Sequence, residues 1–141
     1  MTIALPVIHN DFDRDACATT APLDARRAMR LMMPTTANQL HAYIRAVLGF
    51  HVPMRAMVVG NASPFDYVQH AFFESKQPRD CIVWANRGGG KTQLGAVVTL
   101  LELLFKPGIQ IRILGGSFEQ SSKMYQYLKH LLEDDCFSDL I

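Results

Sequence analysis

Residues 85–92 read Ala-Asn-Arg-Gly-Gly-Gly-Lys-Thr and gather more potential chemistry than any other stretch of the chain. Gly88, Gly89 and Gly90 carry no Cβ, so the backbone there can curl around an anion and turn its amides inward. Lys91 brings an ammonium group on a stem long enough to reach the β- and γ-phosphates of a nucleotide, and the Thr92 hydroxyl suits Mg²⁺. The chemistry these residues spell is phosphate binding, with ATP and Mg²⁺ as the expected cofactors. The plain alternative is a glycine-rich turn that binds nothing. An ordinary strand-to-helix turn, however, has no need of three glycines and a lysine.

A phosphate loop works only if its flanking elements hold it. "CIVWAN" is short, apolar and rich in β-formers, which predicts a buried strand leading into the loop. From Lys91 to Phe105 the sequence predicts a helix that is apolar nearly all round, hence deeply buried, and "KPG" ends it. Such a helix would present unpaired N–H groups and the positive end of its dipole to the loop. "IQIRIL" alternates Ile109, Ile111 and Ile113 and predicts a second strand. After "GGS", Ser117 and Gln120 form a capping box for a last helix, with Met124, Tyr125, Leu128, Leu131 and Leu132 as its buried stripe. Strand, helix, strand and helix with short connections predict an α/β fold built on a parallel βαβ unit.

Upstream of the loop the pattern is helical. Residues 1–22 read as irregular. "LDARRAMRLMM" predicts a short cationic helix ending before Pro34, with Arg26, Arg27 and Arg30 on one face, which suits contact with nucleic acid or acidic protein but more simply a solvated face. Thr35 or Thr36 caps a second helix whose stripe is Leu40, Tyr43, Ile44, Val47 and Leu48, stopping at Gly49. "RAMVV" suits a brief strand. Ser63, Pro64 and Asp66 give a strong helix start for "SPFDYVQHAFFES". The chain therefore divides into a lead-in, residues 1–50, and a loop-bearing part, residues 51–141.

Composition narrows the function classes. With 141 residues and a net charge of +1, the chain suits one domain with a real core and does not suit a protein that coats a polyanion. Cys17, Cys81 and Cys136 form no CxxC pair, and the five histidines show no metal-ligand spacing, which argues against a disulfide framework or a zinc site. The N-terminus lacks the features of a secretory signal. The longest apolar run, "LGAVVTLLELLF", is interrupted by Glu102 and falls well short of the ~20 residues a bilayer span needs. A cytoplasmic protein with no membrane partner is the expectation.

The full phosphate-loop pattern is G-x-x-x-x-G-K-[ST], and Ala85 stands where its first glycine should be. A loop that lacks that glycine and carries an arginine, as in "ANRGGGKT", resembles that of the large terminase subunit of tailed bacteriophages, the ATPase that drives DNA into the capsid. The likeness runs from Val52 through Cys136 and takes in "SPFDYVQHAFFE", "VWANRGGGKT" and "ILGGSFEQSSKMY". It implies a P-loop NTPase of RecA-like type and double-stranded viral DNA as substrate. It also implies the portal protein and small terminase subunit as partners, the host cytoplasm as location, and possible assembly into a homo-oligomer. By the same resemblance, Ala85, Asn86, Arg87, Gly88, Gly89, Gly90, Lys91 and Thr92 hold the nucleotide. Arg87 acts in cis on the γ-phosphate beside the catalytic Lys91, and the helix around Phe65, Tyr67 and Gln69 meets the adenine.

Some of these positions have other readings. Tyr67 and Gln69 also suit a plain amphipathic helix, and Ser117 and Gln120 are either ligand contacts or only a cap. A helicase-like or other DNA-remodelling ATPase, and a non-catalytic nucleotide-binding interaction module, are the alternative functions. No apolar strand ending in Asp or Asp-Glu follows Thr92 to complete a hydrolytic site. "LLEDD" ends a helical segment, and Glu102 lies too far along its helix. The chain therefore reads as a truncated front half of an ATPase domain, inactive in hydrolysis by itself.

Overall fold

The computed structural model describes residues 21–74, 80–85 and 87–140. Among these there are five α-helices and no β-strand: α1 (Leu23–Met29), α2 (Ala37–Ala46), α3 (Pro64–Phe73), α4 (Lys91–Phe105) and α5 (Phe118–Leu132). Cys17, Asn86 and almost all of the expected irregular lead-in lie outside the described residues.

The helix starts follow the local chemistry of the sequence. Thr36 caps α2 by accepting a hydrogen bond from the Gln39 amide at 3.3 Å. Ser63 and Asp66 close a reciprocal capping box on α3, at 3.1 and 2.6 Å, with Pro64 in the first turn. A cap of this kind is worth about 1 kcal/mol. Ser117 accepts from the Gln120 amide at the start of α5, but the Gln120 side chain turns to the Gly116 amide, so that box is only half made.

Helix α4 is the centre of the packing. It lies against α3 and α5, and α3 in turn touches α2. Ala96, Val97, Leu100 and Leu101 are fully buried within a cluster that includes Leu40, Ile44, Val47, Phe65, Val68 and Phe137. Burying a side chain such as Leu100 contributes about 1.5–3 kcal/mol. The Phe105 ring meets Tyr43 and Phe72 edge-on, at centroid distances of 5.4 and 5.9 Å, which joins the end of α4 to α2 and α3. Lys106 bridges Glu74 at 3.1 Å and the buried Glu102 at 2.8 Å. Burial lowers the Lys106 pKa, but the bonds to Glu102 and Glu74 outweigh that and leave it raised.

The expected α/β fold is overturned. Residues 81–85 and 109–114 are irregular connections, no parallel βαβ unit forms among the described residues, and the RecA-like sheet implied by the resemblance is absent from them. A strand exists only where a neighbour supplies its ladder, and among the described residues no segment pairs with either one. Ile82 and Trp84, expected to be buried, are 92% and 95% exposed. The alternation over 109–114 is real, since Ile109, Ile111 and Ile113 are half-buried while Gln110, Arg112 and Leu114 are exposed. Alternation fixes which side faces the body; it cannot provide a partner. Helix α4 buries its apolar surface against other helices instead. "RAMVV" also forms bends and a turn, with Met57 and Val59 exposed. In α5 the stripe holds at Leu128 and Leu131, but Tyr125 points outward at 59% exposure.

Candidate phosphate-binding loop

Helix α4 begins where the glycines end. Gly90 is its N-cap residue, with φ 71° and ψ 8°, a left-handed conformation in which a side chain would be strained. No side chain caps the helix, so its first-turn N–H groups retain their capacity for an external acceptor. Gly88 also has a positive φ, and a Cβ built at either glycine would meet nothing within 4 Å. The loop thus offers amides and open space at the positive end of a fifteen-residue helix.

The cationic groups are placed differently. Lys91 is half-buried, and its ammonium donates to the Ala85 carbonyl at 2.6 Å, crossing the base of the loop. Arg87 is exposed on the loop itself, and Thr92 is half-buried in the first turn of α4. Ala85, Arg87, Gly88, Gly89, Gly90, Lys91 and Thr92 thus neighbour one another along the loop and the first turn of α4, while Asn86 lies outside the described residues. Comparison of the chain with protein-family models, with curated proteins and with solved structures finds no match.

A phosphate group fits this loop, because a dianion would replace the Ala85 carbonyl as the partner of Lys91 and accept from the first-turn amides. The fit to Mg²⁺ is poorer. Thr92 offers one neutral oxygen, and no cluster of three His, Cys, Asp or Glu side chains able to hold a metal occurs among the described residues. Glu102, buried near the far end of α4, is occupied by Lys106.

The expected adenine contacts sit in the core-facing part of α3. Tyr67 packs against the hydrophobic cluster, and burial, reinforced by the Cys81 thiol, raises its pKa. Gln69 is half-buried on the same helix. Ser117 and Gln120 serve as a helix cap. An open hollow of about 570 Å³ along α5 is lined by Phe118, Glu119, Ser122, Tyr125, Gln126 and Lys129, and no loop residue borders it.

Arg26 in α1 and Arg30 at its C-cap depart from the expectation of a solvated face, with side chains only 12% exposed, while Arg27 stays exposed. Arg26 reaches the Val47 carbonyl and Asp134, Arg27 reaches the Asp135 carbonyl, and Arg30 reaches the Cys136 carbonyl and Asp139. The signal was present in the sequence as an acidic run, "EDDCFSD", but nothing local tied it to "DARRAMR" more than 100 residues earlier.

Proposed function

We propose that residues 85–92 bind the phosphates of a nucleoside triphosphate, and that the chain is the ATP-binding portion of a viral DNA-packaging motor of the terminase large-subunit type. The observation that carries the nucleotide reading is the left-handed Gly90 at an uncapped helix start, followed at once by Lys91. The motor reading adds the likeness of "ANRGGGKT" and its flanks to terminase sequences. Its support comes from the loop and α4, not from a sheet. On this reading the motor couples ATP hydrolysis to movement of double-stranded DNA into the capsid, with portal protein and small subunit as partners.

Within the site, the first-turn amides and Gly88–Gly90 cradle the phosphates. Lys91 neutralises their charge once it leaves the Ala85 carbonyl, and Arg87 sits free to swing toward the terminal phosphate. Mg²⁺ would arrive with the nucleotide and supply charge neutralisation at Thr92.

A non-catalytic nucleotide-binding module is the second reading, favoured by the absence among the described residues of a carboxylate cluster that could hold Mg²⁺ against Thr92. Displacement of a fluorescent ATP analogue by ATP, ADP and pyrophosphate tests the shared step. Competition by all three supports phosphate recognition, and competition by none removes both readings. Packaging of DNA into empty capsids by a motor containing this chain then separates them, since only the first reading requires it.

A further inference from the structure

We propose that α1 is a charge-held latch that closes over the chain's C-terminal turn and opens locally without unfolding the helical core. None of the seven α1 residues is buried, and Met29 packs only partly against the core, so apolar contact contributes little to holding the helix in place. The contacts that do hold it are polar, and most of them converge on residues 134–139. Arg26 donates to the Val47 carbonyl and to Asp134, both at 2.8 Å; Arg27 donates twice to the Asp135 carbonyl, at 3.2 and 2.9 Å. Arg30 donates to the Cys136 carbonyl and forks onto both carboxylate oxygens of Asp139. The Tyr43 hydroxyl donates to the Arg30 carbonyl at 2.6 Å and fixes the end of the helix.

Beneath these arginines lies Cys136, fully buried and unpaired in any disulfide. Its own amide donates to Asp134, the same carboxylate that Arg26 holds, so the backbone that carries the thiol is tied to the arginine contacts, while the side chain lies in the buried cluster. The α2–α5 core, by contrast, is closed by buried aliphatic and aromatic side chains. Two parts of the fold thus rest on different forces. Salt weakens exposed ionic contacts and leaves apolar burial intact, so it should loosen the latch from its exposed Arg30–Asp139 end, with the more shielded Arg26–Asp134 pair less affected. Asp139 is 52% exposed, which puts the Arg30 fork within reach of that screening.

The test uses the rate at which N-ethylmaleimide labels Cys136 in a Cys17→Ser/Cys81→Ser background, with far-ultraviolet circular dichroism recorded in parallel. Raising NaCl from 0.05 to 0.5 M should speed labelling about fivefold or more with helical content unchanged. Arg26→Ala/Arg27→Ala/Arg30→Ala should label at least about tenfold faster at low salt. The salt series on unsubstituted arginines decides the matter even if that variant folds poorly. A labelling rate indifferent to salt overturns the latch. So does labelling that rises only in step with loss of helix, because opening would then be global.

Discussion

The Lys91 ammonium donates to the Ala85 carbonyl at 2.6 Å, tying the first residue of α4 back to the start of the loop. A bound phosphate must compete for this ammonium, and a charge-assisted bond to a dianion is the stronger partner. Adding pyrophosphate should therefore shift the backbone resonances of Ala85 together with those of Gly88–Thr92. Shifts confined to remote helices, or none, would place anion binding elsewhere.

Arg87 is exposed on the loop, so it is expected to contribute little to the ground-state cradle. Arg87→Ala should leave ATP affinity within about tenfold, while lowering kcat at least roughly a hundredfold in a hydrolysing motor. Lysine should not restore turnover, since it lacks the planar fork that spans two oxygens. Steady-state kinetics and affinity on both variants check this; an unchanged kcat in Arg87→Ala excludes the finger role.

Helices α4 and α5 approach closely at Gly95, where an added Cβ would meet Met124 Cε at 3.3 Å. Gly95→Ala asks that flexible side chain to yield, and the helix propensity of alanine offsets part of the strain. Gly95→Val adds two more carbons to a packed interface and should destabilise by about 1–3 kcal/mol. Urea unfolding of the two variants should rank them in that order, and equal midpoints would mean the contact is slack.

Hydrogen bonds from Arg30 hold the Asp139 carboxyl down at about 2. A depressed carboxylate stabilises the fold above its unfolded pKa of about 3.9, and that contribution is lost as pH falls toward the folded value. The difference in urea midpoint between the parent and Asp139→Asn should be constant from about pH 7 to 5 and shrink between about pH 4 and 2. A difference that does not change with pH would show that the charge on Asp139 is irrelevant.

The sequence showed the helices well because their signals are local. Ser63, Pro64 and Asp66 specify the start of α3 within four positions, and the span of α4, Lys91 to Phe105, is set by the glycines before it and the Pro-Gly after it. The loop was legible for the same reason. The sheet was misread because Ile109, Ile111 and Ile113 carry a period-two pattern that describes one face of a segment and says nothing of a neighbour. The apolar company of Trp84 predicts its burial, yet without a ladder it stands 95% exposed. The arginine contacts to Asp134 and Asp139 were hidden by distance along the chain, since like charges in a run look solvated until a partner surface is known.

Phosphate recognition by Lys91 and the amides that open α4 underlies the proposed function. Titrating ATP into the parent chain and into Lys91→Ala by calorimetry, with circular dichroism to verify equal helix content, tests it most directly. The parent should bind saturably at one site, and Lys91→Ala should weaken binding at least about tenfold, the effect of losing one charge-assisted contact of about 1.5–3 kcal/mol. Equal affinity in the two proteins, or no saturable binding by the parent, would contradict the assignment.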